Sequence, residues 1–294
     1  MRAARVGPLL GLLAAGVRAA PIRLHPDNPR YFLYEGRALA LITATEHFGG
    51  IINLDFNFER YFKALGAHNF TLAQAWTGAY VEPDADVGPN NTLDPKLGRY
   101  IAPWARSSVP GNAKGGNKFD LTKFNQTFFE RLVDFVDAAA AHGVVVELGL
   151  FGGYEQTHEF IWEVCPFHPS NNVNLQPGSV NRTTVYSLEA PASLRAVQAA
   201  TVREIARALR GRDNVYYQLV NVPNHSSPEW GAPIYQQLVA EDPHKMVAVP
   251  AEWSRAPGAR SLGGVKVISV MSAVCRLGLC RAQVRVRLPI APGR

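Results

Sequence analysis

The stretch from Val215 to Pro223 constrains the fold of this chain more than any other part of its sequence. It is a short run of β-branched and aromatic residues with a polar residue near each end. A nearly continuous apolar run of this length is typical of a strand that is buried on both faces, as in a parallel sheet. Parallel strands need long crossover connections, so the sequence predicts an α/β architecture.

Strands and helices alternate along most of the chain. Apolar runs predict six strands, and stripes of apolar residues at helical spacing predict helices between them. The predicted strands are 38–45, 70–76, 144–151, 215–222, 246–253 and 265–270, and the predicted helices are 57–65, 125–142, 193–209 and 233–240. This order predicts a (β/α)8 TIM-barrel type of fold that is incomplete, because a closed barrel needs eight strands.

Three segments lack a clear period. Residues 22–36 predict a small hairpin that turns at Glu35-Gly36 and plugs the bottom of the barrel. Residues 83–118 are rich in Gly, Pro and Asn, so we expect a long loop that is functional or disordered, in which Gly115-Gly116 is a plain turn. A second irregular stretch covers residues 152–184.

The two ends of the chain differ from its middle. Residues 1–20 predict a secretory signal peptide, with a basic start, an apolar run over 8–17 and a small-residue cleavage site. That run is too short to span a bilayer. We expect one barrel domain over 21–270 and a basic, poorly ordered tail over 271–294, since the tail shows no period and contains no acidic residue.

Charge and secretion signals bear on the partners. The formal net charge is +6, but basic residues without acids concentrate in the leader and the tail, so the sequence does not predict a nucleic-acid-binding face.

Secretion would make five sequons available for glycans, with Asn69 expected to be too buried. Three cysteines leave at least one thiol unpaired. The sequons begin at Asn69, Asn90, Asn125, Asn181 and Asn224.

The strand at 215–222 resembles strand 4 of a glycoside hydrolase (β/α)8 barrel, from the large retaining superfamily that includes cellulases and mannanases. In that superfamily the strand ends in Asn-Glu-Pro, whereas this chain has Asn221-Val222-Pro223. The resemblance covers about residues 22–270. This part of the chain is similar to cellulase-like proteins near family 5. Its other motifs are Thr45-Glu46-His47, Gly78-Ala79-Tyr80-Val81-Glu82-Pro83, Pro103-Trp104-Ala105-Arg106, Gly115-Gly116-Asn117-Lys118-Phe119-Asp120-Leu121 and Asn171-Asn172-Val173-Asn174.

The resemblance implies a mechanism with two carboxylates. One, the Glu of strand 4, protonates the leaving oxygen, and the other, on strand 7, attacks the anomeric carbon. Val222 has no proton to donate, and residues 271–294 do not predict a strand 7. We therefore expect no intact catalytic pair. Asn221 remains, and the resemblance implies that it binds the sugar 2-hydroxyl.

Several residues at predicted strand ends are candidates for substrate binding. Glu46, Glu82 and Glu252 either anchor loops or bond sugar hydroxyls, and His47 either binds sugar or caps a loop. Trp104 either stacks on a pyranose ring or belongs to the core. The predicted substrate-binding residues are Glu46, His47, Tyr80, Glu82, Trp104, Arg106, Asn221 and Glu252.

These features predict a secreted glycoside hydrolase by lineage, acting on O-glycosyl bonds of a poly- or oligosaccharide but inactive or impaired. Two alternatives stay open: a carbohydrate-binding pseudoenzyme, and a truncated gene product without function. We expect a monomer with carbohydrate as its partner and with no cofactor, metal, nucleic acid or membrane. The chain contains no Gly-x-Ser-x-Gly elbow and no Gly-x-Gly-x-x-Gly after a strand, which argues against serine hydrolases and dehydrogenases.

Overall fold

The computed structural model describes residues 20–43, 49–79, 81, 94–221, 224–250, 252–253 and 267–269. Ten strands and five α-helices follow one another along these residues. In chain order they are β1 Arg23–Leu24, β2 Phe32–Tyr34, β3 Arg37–Leu39, α1 Phe58–Ala67, β4 Leu72–Trp76, β5 Trp104–Pro110, β6 Asn117–Phe124, α2 Gln126–Ala141, β7 Val145–Gly149, α3 Glu159–Trp162, α4 Ala192–Ala208, β8 Val215–Gln218, α5 Pro228–Glu241, β9 Val247–Pro250 and β10 Val267–Ser269.

The central element is a parallel sheet with the strand order β10-β9-β8-β7-β4. Helices α2, α4 and α5 lie in the connections between these strands, so the predicted parallel α/β architecture is confirmed. Among the described residues the sheet is open, with β10 and β4 at its edges and no ladder joining them.

The predicted first strand, 38–45, is wrong over its described part. Residues 37–39 form β3, which pairs antiparallel with β2 instead of joining the parallel sheet. The chain then runs past the start of β4, where the Thr71 hydroxyl accepts from Ile42 N–H at 2.8 Å and donates to the Ala40 carbonyl at 2.7 Å. A side chain thus takes the place of part of a strand ladder.

One face of the sheet packs against the helices. Helices α2 and α4 point apolar stripes at it, and the helix predicted over 125–142 is confirmed, ending before Gly143 at φ +69°. Helix α5 begins at Pro228, five residues earlier than predicted, because Ser227 caps it. Within the described part of the chain, no helix is long and apolar enough to cross a membrane.

The amino-terminal hairpin covers the start of the parallel strands. Its turn places Glu35 and Gly36 at φ 49° and 74°, which suits a tight two-residue hairpin turn. Phe32 of β2 is buried and its ring stacks on Tyr216 of β8 at 6.3 Å between centroids. Leu72 and Val145, the first residues of β4 and β7, belong to the same apolar cluster. The predicted plug is confirmed.

A polar row crosses the sheet on the face that the hairpin covers. Gln74, Glu147 and Tyr216 occupy the same register on β4, β7 and β8. The Gln74 side-chain N–H donates to Glu147 at 2.7 Å, and burial, the charge of Glu147 and a hydrogen bond to it raise the pKa of the Tyr216 phenol. Glu147 is therefore a buried and paired carboxylate.

The long segment over 83–118 is not a structureless loop in its described part. Strands β5 and β6 form an antiparallel hairpin, and Gly115 and Gly116 adopt φ values of 82° and 76° in its turn. The Gly115-Gly116 turn is therefore confirmed. The ladder has two register shifts, which interrupt the alternation that would identify these strands in a sequence.

Arg131 of α2 holds the segment that precedes α1. Its guanidinium donates hydrogen bonds to four main-chain carbonyl oxygens of a segment that has no ladder of its own. The acceptors are Gly50 at 3.3 Å and Ile51, Asn53 and Phe56 at 2.8 Å each. The planar fork of donors suits several acceptors at once, which a lysine ammonium does not match.

We predict that Arg131→Met, which keeps the apolar stem, lowers the free energy of unfolding by about 3 kcal/mol because several charged hydrogen bonds are lost. Arg131→Lys should recover only part of that loss. Arg60→Met removes an exposed arginine of α1 and should change stability by less than about 0.5 kcal/mol. Urea unfolding followed by tryptophan fluorescence measures all three. An Arg131→Met protein as stable as the parent would contradict this role.

Candidate functional site

The carboxyl ends of the parallel strands lie at one edge of the sheet, and we call this the carboxyl edge. Main-chain pairing continues past the strands here: Leu150 N–H donates to the Gln218 carbonyl at 2.9 Å, and Asn221 N–H to the Phe151 carbonyl at 3.1 Å. The chain after β7 is thereby brought next to the chain after β8. In parallel α/β proteins, ligands bind at this edge.

Asn221 lies at the carboxyl edge with its amide buried. Only 1% of the residue is exposed, and neither its Oδ1 nor its Nδ2 has a hydrogen-bond partner among the described residues. An unsatisfied buried amide costs about 1–3 kcal/mol, so native proteins seldom keep one without a reason. A ligand with adjacent donor and acceptor groups, such as a sugar diol, would satisfy both atoms.

Gln156 is a second buried amide that follows β7, and sequence reasoning did not identify it. Its Oε1 accepts from the His225 main-chain N–H at 3.3 Å, and its own carbonyl accepts from Arg182 at 2.6 Å. Its Nε2 has no partner in the described part of the chain. Gln156 therefore links the segment after β7 to the segment after β8. We refer to Asn221 and Gln156 as the edge amides.

The neighbouring carboxyl group, Glu155, is fully buried. The Tyr186 hydroxyl donates a hydrogen bond to it, and the Tyr186 ring packs on Phe151 and Trp230. Burial raises the pKa of Glu155 from 4.5 to about 7, although hydrogen bonds from Tyr186 and from main-chain N–H groups act in the opposite direction. This carboxyl lies inside the aromatic cluster, so we interpret it as part of the framework.

Cys165 lies on the same framework and is a free, buried thiol. Its Sγ donates to the Ala79 carbonyl at 3.2 Å, and only 1% of the residue is exposed. Burial and the nearby Glu155 carboxylate raise the pKa of this thiol well above 9.0. A thiol in such surroundings is a weak nucleophile, so it is not a catalytic candidate.

The structure corrects the expectation for Trp104. Its indole is 1% exposed, and its Nε1–H donates to the Thr201 hydroxyl at 3.1 Å. The ring packs edge-on against Phe167, with 4.9 Å between centroids. Of the two interpretations that the sequence left open, the core side chain is therefore the correct one.

Arg106 also takes a framework role. Its guanidinium lies 3.9 Å from the centroid of the Phe119 ring and donates to the carbonyl oxygens of Asn117 and Tyr100, at 2.8 Å and 3.0 Å. These bonds join β5, β6 and the segment before β5. Two of its N–H donors are therefore engaged in the framework, and its role as a sugar ligand stays a prediction.

The remaining predicted site residues divide into two groups. Glu252 follows β9 and is exposed, next to Trp253, which is buried against Trp230. Val222 and four predicted substrate-binding residues lie outside the described residues, so their roles stay predictions. Those four are Glu46, His47, Tyr80 and Glu82. Of the eight predicted site residues, the structure places Asn221 and Glu252 at the carboxyl edge.

Trp76 ends β4 and fills the space above Gly149 of β7. Their main chains are register partners, and a Cβ built on Gly149 would lie 2.3 Å from the indole. Gly149 is therefore required for the indole to lie across the neighbouring strand. Because Trp76 is 2% exposed and packs on Ile161, it is a core residue in this structure.

We predict that Glu155 makes stability fall as pH rises. Its folded pKa of about 7 lies above the unfolded value of 4.5, so the unfolded state loses its proton first. The contribution is lost between about pH 4.5 and 7 and amounts to about 3 kcal/mol.

Glu155→Gln should remove this part of the slope while keeping an acceptor for Tyr186. Glu189→Gln, at an exposed position, should leave the slope unchanged. Urea unfolding at pH 4.5, 6 and 8 compares the three proteins. Parallel pH profiles for the parent and Glu155→Gln would show that this carboxyl is not perturbed in solution.

Comparisons with known proteins bear on the fold. No protein-family model and no curated protein matches the chain. A family 5 mannosidase from Rhizomucor miehei is similar at a TM-score of 0.55 and 14% identity, over 90% of this chain and 64% of that one. A mutant of a family 5 mannosidase from the same organism, in complex with mannosyl-fructose, is similar at a TM-score of 0.54 and 14% identity. The match covers 88% of this chain and 63% of that one.

A candidate glycoside hydrolase from Bacteroides vulgatus is similar at a TM-score of 0.53 and 13% identity, over 78% of this chain and 38% of that one. The chain thus spans less than two thirds of the length of each of these structures. The neighbours are TIM-barrel glycoside hydrolases of family 5 and related proteins, at low sequence identity. The fold of this chain is consistent with that of a cellulase-like glycoside hydrolase.

Proposed function

We propose that this chain is a carbohydrate-binding protein of glycoside hydrolase lineage that binds a neutral saccharide at the carboxyl edge and does not cleave it efficiently. The observation that carries the proposal is the buried Asn221 amide, whose two polar atoms have no partner among the described residues. An amide offers donors and an acceptor side by side, which matches two neighbouring hydroxyl groups of a sugar ring.

Neutral sugars fit the chemistry of this edge better than charged ones. The edge amides are uncharged, and the buried carboxyl of Glu155, which precedes Gln156 in the chain, is bonded to Tyr186 inside the framework. The resemblance of the Asn221-Val222-Pro223 triplet to Asn-Glu-Pro supports the same site. The valine at 222 supports binding without acid catalysis, because it replaces the group that would protonate a leaving oxygen.

Secretion belongs to the same proposal. The basic start, apolar run and small-residue cleavage site of residues 1–20 support an extracellular location, where polysaccharides and their fragments are available. Asn69 was expected to be too buried for a glycan, but its side chain is exposed and would be open to one. Its main chain has a φ of 57°.

We predict that Asn221→Ala weakens binding of manno- or cello-oligosaccharides at least tenfold, because it removes two hydrogen bonds to the sugar. The same change should not lower the melting temperature, since it removes an unsatisfied buried group. Gln126→Ala, which truncates an exposed amide on α2, should change neither property. Isothermal titration and thermal unfolding provide the two measurements.

A large loss of stability in Asn221→Ala would show that the amide has a structural partner, and unchanged binding would show that the site lies elsewhere. Either result contradicts the proposal. The combined result, lost binding with retained stability, is expected only of a residue that the ligand satisfies.

We also predict that the purified chain does not cleave mannobiose or cellobiose. An unactivated glycosidic bond needs a proton on its leaving oxygen, and position 222 holds a valine. Reducing-end analysis after prolonged incubation checks this. Cleavage that disappears in Glu252→Gln would contradict the proposal, because it would show that another carboxylate at the carboxyl edge takes part in catalysis.

A further inference from the structure

A groove lies between the tip of the β5–β6 hairpin and the segment 168–180, and neither edge amide is among its lining residues. We call it the hairpin groove, and its volume is about 590 Å³. Val109 and Lys118 line it from the hairpin, and the 168–180 segment forms the rest of the wall. This volume falls within the range of small-molecule sites, about 300–1,000 Å³.

The two walls are fixed to each other by asparagine amides. Asn171 Nδ2 donates to the carbonyls of Glu163 and Cys165, at 2.7 Å and 2.9 Å, and its Oδ1 accepts from Ala113 N–H at 2.9 Å. Ala113 belongs to the connection between β5 and β6. The hairpin and the segment are therefore held in one arrangement before any ligand binds, which favours affinity.

Asn172 and Asn174 complete this attachment. Asn172 donates to the carbonyls of Pro166 and His168 and accepts from the N–H groups of Asn174 and Leu175. Asn174 accepts from Leu121 N–H of β6 at 2.7 Å. The Asn171-Asn172-Val173-Asn174 motif thus has a framework role, and the apolar side chain within it, Val173, remains 40% exposed in the groove.

Half of the twelve residues that line the groove are aliphatic. Valine, leucine and proline side chains form its walls, and no tryptophan, tyrosine or phenylalanine is among the lining residues. Sugar rings commonly stack on aromatic faces, so this lining does not favour a saccharide. The apolar lining residues are Val109, Pro169, Val173, Leu175, Pro177 and Val180.

One cation lines the groove. Lys118 forms no ion pair with any residue that the structure describes, and no acidic side chain lines the cavity. His168 also lines the groove, and its Nδ1 accepts from Ser170 N–H at 3.2 Å. Burial lowers the pKa of this imidazole, while Glu159 and Glu163 oppose the shift.

We propose that the hairpin groove binds a small amphiphilic carboxylate, with its apolar body against the aliphatic wall and its carboxylate bonded to the Lys118 ammonium. Apolar burial supplies most of the affinity, and the charge-assisted hydrogen bond gives the preference for an acid. The site is independent of the carboxyl edge and does not rest on the proposed carbohydrate binding.

Three probes separate the parts of this proposal in isothermal titration. These are 2-naphthoate, its neutral analogue 2-naphthalenemethanol, and glucuronate, which carries a carboxylate without an apolar body. We expect saturable binding of 2-naphthoate, about tenfold weaker binding of the alcohol, and no measurable binding of glucuronate, since one charge-assisted hydrogen bond distinguishes acid from alcohol.

Matched variants locate the site. Lys118→Met keeps the stem and removes the charge, so it should reduce 2-naphthoate binding to the level of the alcohol. Lys118→Arg should retain the preference for the acid. Val173→Ser should weaken binding of both naphthyl probes, and Lys63→Met, at an exposed position on α1, should change nothing.

Three results would overturn the proposal. The first is equal affinity for the acid and the alcohol. The second is acid binding that is unchanged in Lys118→Met. The third is glucuronate binding as tight as that of 2-naphthoate, which would identify an acidic-saccharide site instead. Absence of saturable 2-naphthoate binding up to its solubility limit would also overturn it.

Discussion

Side-chain donors bonded to main-chain carbonyl groups hold the long connections of this protein in place. Arg131 bonds four carbonyls of the segment before α1, and Arg106 bonds two around the β5–β6 hairpin. Asn171 does the same for the segment after α3. Buried main-chain groups must find partners, and in the connections these side chains provide them. The arrangement of the long connections therefore depends on a few planar polar groups.

The two ends of the parallel sheet have different chemistry. At the start of the strands, the amino-terminal hairpin packs Phe32 against Tyr216 and seals an apolar cluster. At the carboxyl edge, the buried amides of Asn221 and Gln156 keep polar atoms without partners among the described residues. The start of the strands is thus closed by apolar packing, whereas the carboxyl edge holds two buried amides with polar atoms to offer a ligand, as expected where a parallel α/β fold has its site.

Sequence patterns predicted the regular elements well where one physical cause dominates. The helix over 126–141 has a continuous apolar stripe and ends at a glycine, and the strand at 215–218 is almost wholly apolar. The β5–β6 hairpin was missed because its register shifts break the two-residue period. The first strand was misassigned because the apolar run over 38–45 does not show that the Thr71 hydroxyl bonds the main chain of Ala40 and Ile42.

The site was harder to predict than the fold. Asn221 was identified through the resemblance of its triplet, whereas Gln156 lies in an aperiodic segment whose path only tertiary contacts decide. Trp104 and Arg106 occur in a motif that looked like a binding loop. Trp104 packs in the core and bonds Thr201 of α4, and Arg106 bonds the hairpin and the segment before it. A motif locates important residues but does not distinguish a ligand contact from a framework contact.

The buried thiol of Cys165 has a consequence for kinetics. Its sulfur bonds the Ala79 carbonyl, so it joins the segment after α3 to the segment after β4. A thiol reagent can reach it only when these two segments separate, and the fully folded population is inert to modification. The rate at which Cys165 is alkylated therefore measures how often this side of the molecule opens.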